Sequence, residues 1–146
     1  MKKQYLLGLL CMTSTVFGIN PRDAALIAAA MDGRADDVQN LLAAHANANA
    51  VSNDGTTALI MASEKGHAAV VRLLLAAHAN VNATDNSGTT ALIIAVAHGY
   101  VGVVQSLLAA RANVNAARND GATALTFAVL SKRGDIIGLL RKAGAR

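Results

Sequence analysis

The sequence has little of the residues that several classes of protein require. Its 146 residues include one cysteine, one proline and no tryptophan, and only 3% are aromatic and 15% charged. One cysteine cannot form a disulfide within the chain, and zinc fingers and iron–sulfur sites need several thiolates. Glu64 is the only glutamate, so a glutamate pair for general acid–base catalysis is excluded. The 53% hydrophobic share excludes intrinsic disorder, and the alanine-rich, aromatic-poor composition favours helices.

The first 18 residues have the three parts of a secretory signal peptide. Two lysines follow the first methionine, an apolar run extends from Tyr5 to Met12, and small residues close the segment. The run is too short for a membrane-spanning helix, which needs about 20 apolar residues. We therefore expect a signal peptide over residues 1–18, cleavage after Gly18 and no stable membrane insertion afterwards. The leader is of a bacterial type, so the expected location is periplasmic or secreted; a cytoplasmic protein that keeps its leader is the alternative.

The charge balance does not favour binding to nucleic acid. The chain has 13 basic and 9 acidic residues, and loss of Lys2 and Lys3 with the leader would leave 11 basic residues. The net charge would then be about +2, so no nucleic-acid partner is expected. Basic residues cluster near the C-terminus, with Asp135 among them: Lys132, Arg133, Arg141, Lys142 and Arg146. We interpret this cluster as a polar end of the fold; an anion-binding patch is the alternative.

A pattern recurs along the chain with a spacing of 33 residues. Residues 54–60, 87–93 and 120–126 read DGTTALI, SGTTALI and DGATALT, and AALI lies one period before the first of them. A second pattern with paired leucines or isoleucines recurs at 38–42, 71–75, 104–108 and 136–140. The spacing predicts one repeat domain over residues 19–146, in four units at about 19–51, 52–84, 85–117 and 118–146.

Each unit is predicted to contain two short helices and a loop. In the second unit the first helix runs from Thr57, which can cap it, to about Lys65, and Gly66 ends it. The second helix runs from about residue 69 to 77 and places its valines and leucines on one face. A polar, extended tail at residues 80–83 then leads to the next turn. Isolated helices of about nine residues are marginal, so stacked neighbours must bury their apolar faces, as in a solenoid.

This pattern resembles the ankyrin repeat. The matching features are the start Gly55-x-Thr57-x-Leu59, the turn Gly66-His67, the outer-helix pattern Val-Val-x-x-Leu-Leu and the tail Ala-Asn-Val-Asn-Ala. The resemblance covers about residues 22–146. It implies an all-α ankyrin-repeat solenoid of four helix-turn-helix units with β-hairpin-like loops.

The sequence departs from the ankyrin pattern at three places. Alanine replaces the proline of the first helix in three units, which suits a helix. The glycine that usually follows the outer helix is replaced by His45, His78 and Arg111, where a left-handed backbone would cost about 1 kcal/mol per residue. Lys132 stands where the turn glycine of the last unit belongs, so this end of the array is expected to be irregular.

Candidate catalytic and metal-binding groups are few. Four histidines are present, but His45 and His78 lie one repeat apart, about 10 Å, and no carboxylate or thiol is placed to complete a metal site. No serine lies in a Gly-x-Ser-x-Gly turn, and no glycine-rich phosphate-binding motif is present. We therefore expect no catalytic, cofactor or metal site. An enzyme, a small-ligand protein or a metal-binding protein hidden in the hairpin loops is the lesser alternative.

The ankyrin resemblance implies a protein partner of unknown identity, and the chain is expected to bind it as a monomer. The family binds through hairpin tips and the exposed side of the inner helices, and the corresponding positions differ most between units. Because Tyr100 and Phe127 are the only aromatic residues after the leader, a polar interface of moderate affinity is expected. A cytosolic or host-directed adaptor or inhibitor of a single enzyme is the alternative function. The predicted contact residues are Met31, Asp32, Asn53, Asp54, Thr56, Glu64, Lys65, Asn86, Ser87, Thr89, Ala97, His98, Asn119, Asp120, Ala122, Leu130 and Ser131.

Overall fold

The computed structural model describes residues 19–146, and this part of the chain forms eight helices and no β-strand. No described helix is both long and apolar enough to cross a bilayer. The predicted signal peptide and its cleavage site lie outside the described residues. The helices are α1 Pro21–Asp32, α2 Ala35–Ala43, α3 Ala58–Lys65, α4 Ala68–Ala76, α5 Ala91–His98, α6 Val101–Ala109, α7 Ala124–Leu130 and α8 Gly134–Lys142.

Threonine side chains begin three of the helices. The hydroxyls of Thr57, Thr90 and Thr123 accept hydrogen bonds from the backbone N–H three residues later, at 3.2, 3.2 and 3.3 Å. These bonds satisfy amides that a helix N-terminus otherwise leaves without partners. Gly66 ends α3 in a left-handed conformation with φ 76°, as the sequence predicted. Helix α4 lies one residue earlier than predicted, at Ala68–Ala76.

The helices pack in two rows. The inner helices (α1, α3, α5 and α7) stack in one row and the outer helices (α2, α4, α6 and α8) in the other, and each inner helix also packs on the outer helix that follows it. Leucines at one position of the first three inner helices, Leu26, Leu59 and Leu92, are at most 1% exposed. The core is therefore shared between neighbouring repeats, and the predicted all-α solenoid of four helix-turn-helix units is confirmed.

Asparagine side chains connect the repeats along one edge. The Oδ1 of Asn49 accepts a hydrogen bond from the backbone N–H of Asn80 at 2.6 Å, and the Oδ1 of Asn82 accepts one from Asn113 at 2.7 Å. In a third contact of this kind, the Oδ1 of Asn115 accepts a hydrogen bond from the N–H of Arg146 at 3.0 Å.

The expected extended conformation of residues 80–83 is wrong. The Oδ1 of Asn80 accepts a hydrogen bond from the N–H of Asn82, and the segment folds into a turn.

Glycines between the paired helices make room for planar side chains of the following repeat. A β-carbon added at Gly33 would lie 2.6 Å from the His67 ring, and one at Gly66 would lie 2.9 Å from the Tyr100 ring. The guanidinium of Arg133 lies over Gly99 in the same way. These glycines therefore meet two requirements, a left-handed backbone and close contact between repeats.

Four non-glycine residues also have a left-handed backbone. His45, His78 and Arg111 have φ angles of 64°, 63° and 62°, so the strained conformation predicted at these positions is confirmed. Lys132 has φ 54°, and the turn around it keeps the hydrogen bonds that surround Gly99. The irregular end expected there is found in part: Lys132 adopts the backbone conformation of the glycine that it replaces, but α7 ends one residue earlier than the equivalent helices, at Leu130.

Candidate protein-binding surface

The hairpin loops form a continuous edge. Each of the last three loops closes with one antiparallel bridge, at 51–57, 84–90 and 117–123. Neighbouring tips are joined because the N–H of Asn86 donates to the Asp54 carbonyl at 3.3 Å and the N–H of Asn119 donates to the Ser87 carbonyl at 3.0 Å. The Asn119 amide also donates to the Asn86 carbonyl at 3.0 Å. Contacts between repeats thus fix the spacing of the tips.

An aspartate stabilises each tip from within. Asp54 accepts hydrogen bonds from the Ser52 hydroxyl and, at 3.2 Å, from the N–H of Thr56. These bonds, that from Ser52 foremost, hold the pKa of the Asp54 carboxyl below its ordinary value. In the next loop Asp85 accepts from two backbone amides at 2.9 Å, and in the last Asp120 accepts from one at 3.0 Å. The tip carboxylates therefore have a structural role in addition to their exposure.

Two of the predicted contact residues are buried. Thr56 is 6% exposed and Thr89 is 7% exposed, so their expected exposure is wrong. The carbonyl of Thr56 pairs across the loop with the N–H of Ser52 at 2.9 Å, and that of Thr89 pairs with Asp85 at 3.1 Å. This pairing places both threonines at the base of the loop rather than at its tip.

The other predicted residues are accessible. Glu64 and Ala122 are half-buried, and the remaining residues are exposed. The structure brings the exposed ones together on two rows of equivalent positions, which follow the hairpin tips and the C-terminal ends of the inner helices. We refer to both rows as the variable face. Its residues are Met31, Asp32, Asn53, Asp54, Lys65, Asn86, Ser87, Ala97, His98, Asn119, Asp120, Leu130 and Ser131.

Aromatic and histidine side chains beside the variable face make defined contacts. The rings of His98 and Tyr100 stack at 5.7 Å with an angle of 5° between their planes. His98 also places Nδ1 3.0 Å from the Ile94 carbonyl, and His67 places Nε2 3.1 Å from the Met31 carbonyl of the preceding repeat. His67 and Tyr100 therefore belong to the contacts between repeats, whereas His98 remains exposed.

Sequence reasoning missed an apolar residue at the last inner helix. Val129 is 51% exposed, although its equivalent Val96 is 0% exposed beneath the following repeat. Beside it Leu130 has the greatest exposure of the described large hydrophobic residues, 73%. Valine stands at both positions, 33 residues apart, so the residue type alone does not separate the exposed site from the buried one. The signal that could have corrected this was Lys132, which marks the repeat as different from the others.

Arginines of the last repeat are paired with its aspartates. Arg118 lies 3.4 Å from Asp120, and its guanidinium carbon lies 5.7 Å from the centre of the Phe127 ring. Arg133 contacts Asp135 at 3.0 Å. This pairing lowers the pKa of the Asp135 carboxyl and raises that of the Arg133 guanidinium.

Residues 19–146 contain no group of three or more histidine, cysteine or acidic side chains close enough to hold a metal ion. The variable face thus consists of hydrogen-bonding, charged and a few apolar side chains on a hydrogen-bonded frame. Such side chains can contact another protein surface at many points.

Comparison with known proteins identifies the repeats. No curated protein matches the sequence. A family model for ankyrin repeats, built on three copies, matches residues 25–118 and 86–146. Ankyrin repeats are protein-interaction modules and are generally not enzymes, in keeping with a surface that varies over a constant core. The match covers most of the chain, and together with the paired helices and joined hairpin loops it shows that the chain belongs to the ankyrin repeat family.

Proposed function

We propose that this chain is a non-enzymatic module that binds one protein partner across the variable face. One observation carries the proposal: an accessible position at the C-terminal ends of the inner helices differs in every repeat, whereas a position of the same helices that faces the core is constant. At one such exposed position the four repeats present Asp32, Lys65, His98 and Ser131. The buried position beginning with Leu26 is leucine in all four repeats.

The frame beneath these side chains suits a rigid interface. Hydrogen bonds between tips and along the asparagine edge fix the spacing of the repeats, so binding orders few additional groups. Because the accessible side chains are mostly polar, we propose an interface of moderate affinity with many contacts. The protein is proposed to act as a monomer and without nucleic acid.

Site-specific photocrosslinking in intact cells tests the proposed interface. A benzophenone amino acid is placed at Asn86 or His98 on the variable face, and at Arg72 or Gln105 on the outer helices as controls; all four residues are exposed. One protein should be captured from the first two positions and not from the controls. Capture from the outer helices alone would contradict the proposal, and a lack of capture from all four would remove its support.

We also propose that the protein is exported, on the pattern of residues 1–18. The same experiment tests export when the chain carries a C-terminal tag. Mass spectrometry should find an N-terminal peptide that begins at Ile19 and a crosslinked partner from the cell envelope or the medium. An intact peptide that begins at Met1, with cytoplasmic partners, would overturn the proposed location and leave the binding role in place.

A further inference from the structure

Two apolar side chains at the end of the variable face have no cover. Leu130 is 73% exposed and Val129 is 51% exposed, and they are adjacent in the chain. Phe127, one helical turn before Leu130, is half-buried beneath Arg118. Contiguous exposed apolar surface with a polar rim is typical of an interaction site.

The same repeat carries an excess of positive charge. Residues 118–146 contain six basic and two acidic residues. Both acids are already paired, Asp120 with Arg118 and Asp135 with Arg133. Within residues 19–146, no ion pair is formed by Lys132, Arg141 or Lys142.

Lys132 has a strained, left-handed backbone. Its φ is 54°, whereas the equivalent residues Gly33, Gly66 and Gly99 have φ angles of 73°, 76° and 77°. A left-handed conformation is unfavourable for lysine and not for glycine. Glycine at this position would relieve the strain, whereas lysine places an exposed cation near the apolar pair in the chain.

A second copy stacked end to end does not fit this end. In the array a planar side chain of the following repeat lies over each turn glycine, as His67 does over Gly33. In an end-to-end stack Arg34, which is equivalent to His67, would have to lie over Lys132. A β-carbon at the equivalent turn glycines would overlap that side chain, lysine carries such a β-carbon, and the two cations would repel each other.

We infer that the terminal patch, defined as Arg118, Phe127, Val129, Leu130 and Lys132, binds an acidic protein segment that inserts an aliphatic or aromatic side chain. The apolar pair contacts that side chain, and Lys132, together with the net positive charge of the repeat, attracts the carboxylates around it. This inference rests on the proposed protein-binding function and names the chemistry of its partner.

Peptide display on the purified protein of residues 19–146 tests the inference. A library of random peptides, about 12 residues long, is selected for binding, and the enriched sequences are measured by fluorescence anisotropy. We expect enrichment of aspartate and glutamate around leucine, isoleucine or phenylalanine. Enriched peptides that are basic or uncharged would overturn the inference.

Matched variants locate the binding site. Leu130→Gln should weaken binding of the selected peptide about tenfold or more, and Lys132→Gln several-fold with a reduced dependence on salt. Val51→Gln and Arg72→Gln remove an exposed apolar and an exposed basic residue outside the variable face and should leave binding unchanged. Equal losses in all four variants, or no loss in Leu130→Gln, would contradict the assignment.

Lys132→Gly separates binding from folding. Glycine suits the left-handed backbone, so this variant should unfold at a higher urea concentration and still bind the peptide more weakly. Vesicles of phosphatidylserine and phosphatidylcholine form the remaining arm of the test. Vesicle binding that depends on Leu130 and competes with the peptide would assign the patch to membranes and overturn the inference. Crosslinking of a partner at His98 without any effect of Leu130→Gln would refute the terminal patch and leave the proposed function standing.

Discussion

Two equivalent glycines separate the cost of a strained backbone from the cost of disturbing the contact between repeats. Gly88 and Gly121 lie at the same position of the hairpin loops closed at 84–90 and 117–123, with φ angles of 78° and 85°. Alanine at either site must adopt a left-handed conformation, which costs about 1–2 kcal/mol. A β-carbon at Gly121 would meet no atom within 4 Å, whereas one at Gly88 would meet the next repeat.

The contact at Gly88 cannot yield easily. The added β-carbon would lie 3.0 Å from the backbone nitrogen of Asn119 and 3.2 Å from the Cα of Arg118. These are backbone atoms, so a side-chain rotation does not relieve the overlap. Overpacking costs about 1–3 kcal/mol. Displacement would also weaken the hydrogen bond from Asn119 to the Ser87 carbonyl, worth about 0.5–1.5 kcal/mol.

Gly88→Ala should therefore lower the free energy of unfolding by about 2–5 kcal/mol, and Gly121→Ala by about 1–2 kcal/mol. Urea titration followed by far-ultraviolet circular dichroism measures both, provided that the dependence on urea concentration stays the same in the two variants. Equal losses would refute the reasoning, because backbone strain alone would then explain both substitutions.

Three further predictions concern the core, the asparagine edge and a loop tip. Leu92→Ala should lower the free energy of unfolding by about 2–5 kcal/mol, and Leu125→Ala, at the equivalent half-buried site, by less; thermal or urea unfolding that ranks them in the opposite order would contradict the shared core. Asn82→Ala removes the acceptor of the Asn113 N–H and should cost about 1 kcal/mol, with faster hydrogen exchange at that amide as the direct readout. Asp54→Asn should destabilise at neutral pH and progressively less in acid: the folded pKa lies below the unfolded one, so the stabilisation by the carboxylate is present above the unfolded pKa and is lost as pH falls through the folded pKa. Urea unfolding at pH 7 and at about pH 3 checks this, and a pH-independent difference would exclude the carboxylate contacts as its cause.

Features that depend on one repeat were predictable from the sequence. Helix α3 begins after Thr57 and ends before Gly66 as expected, because capping and helix termination act over a few neighbouring residues. The left-handed backbone at His45 and His78 followed from their alignment with a glycine of the ankyrin pattern. The 33-residue spacing was sufficient for these predictions, since caps and turns recur at equivalent positions of the repeats.

Features that depend on neighbouring repeats or on loop closure were not predictable. Thr56 has an exposed tip position in the repeat pattern, yet the hydrogen bonds across its loop place it at the base. Val129 has the identity of the buried Val96, yet no described repeat packs against it. The Asn49–Asn80 contact joins residues 31 positions apart and becomes visible only when the repeats are stacked. In each case the deciding atoms belong to a different part of the structure from the residue itself.

The ends of the array differ in charge, and this difference gives the variable face a direction. Residues 19–51 carry four acidic and two basic residues, residues 118–146 carry two acidic and six basic residues, and the repeats between them are balanced. An acidic segment that approaches the face is therefore repelled by the first repeat and attracted by the last. Because the exposed Leu130 lies at the attractive end, the charge that orients the segment also brings it to the apolar contact. The middle repeats, whose charges balance, then set the distance from that contact to any second one, through a spacing fixed by hydrogen bonds between the tips.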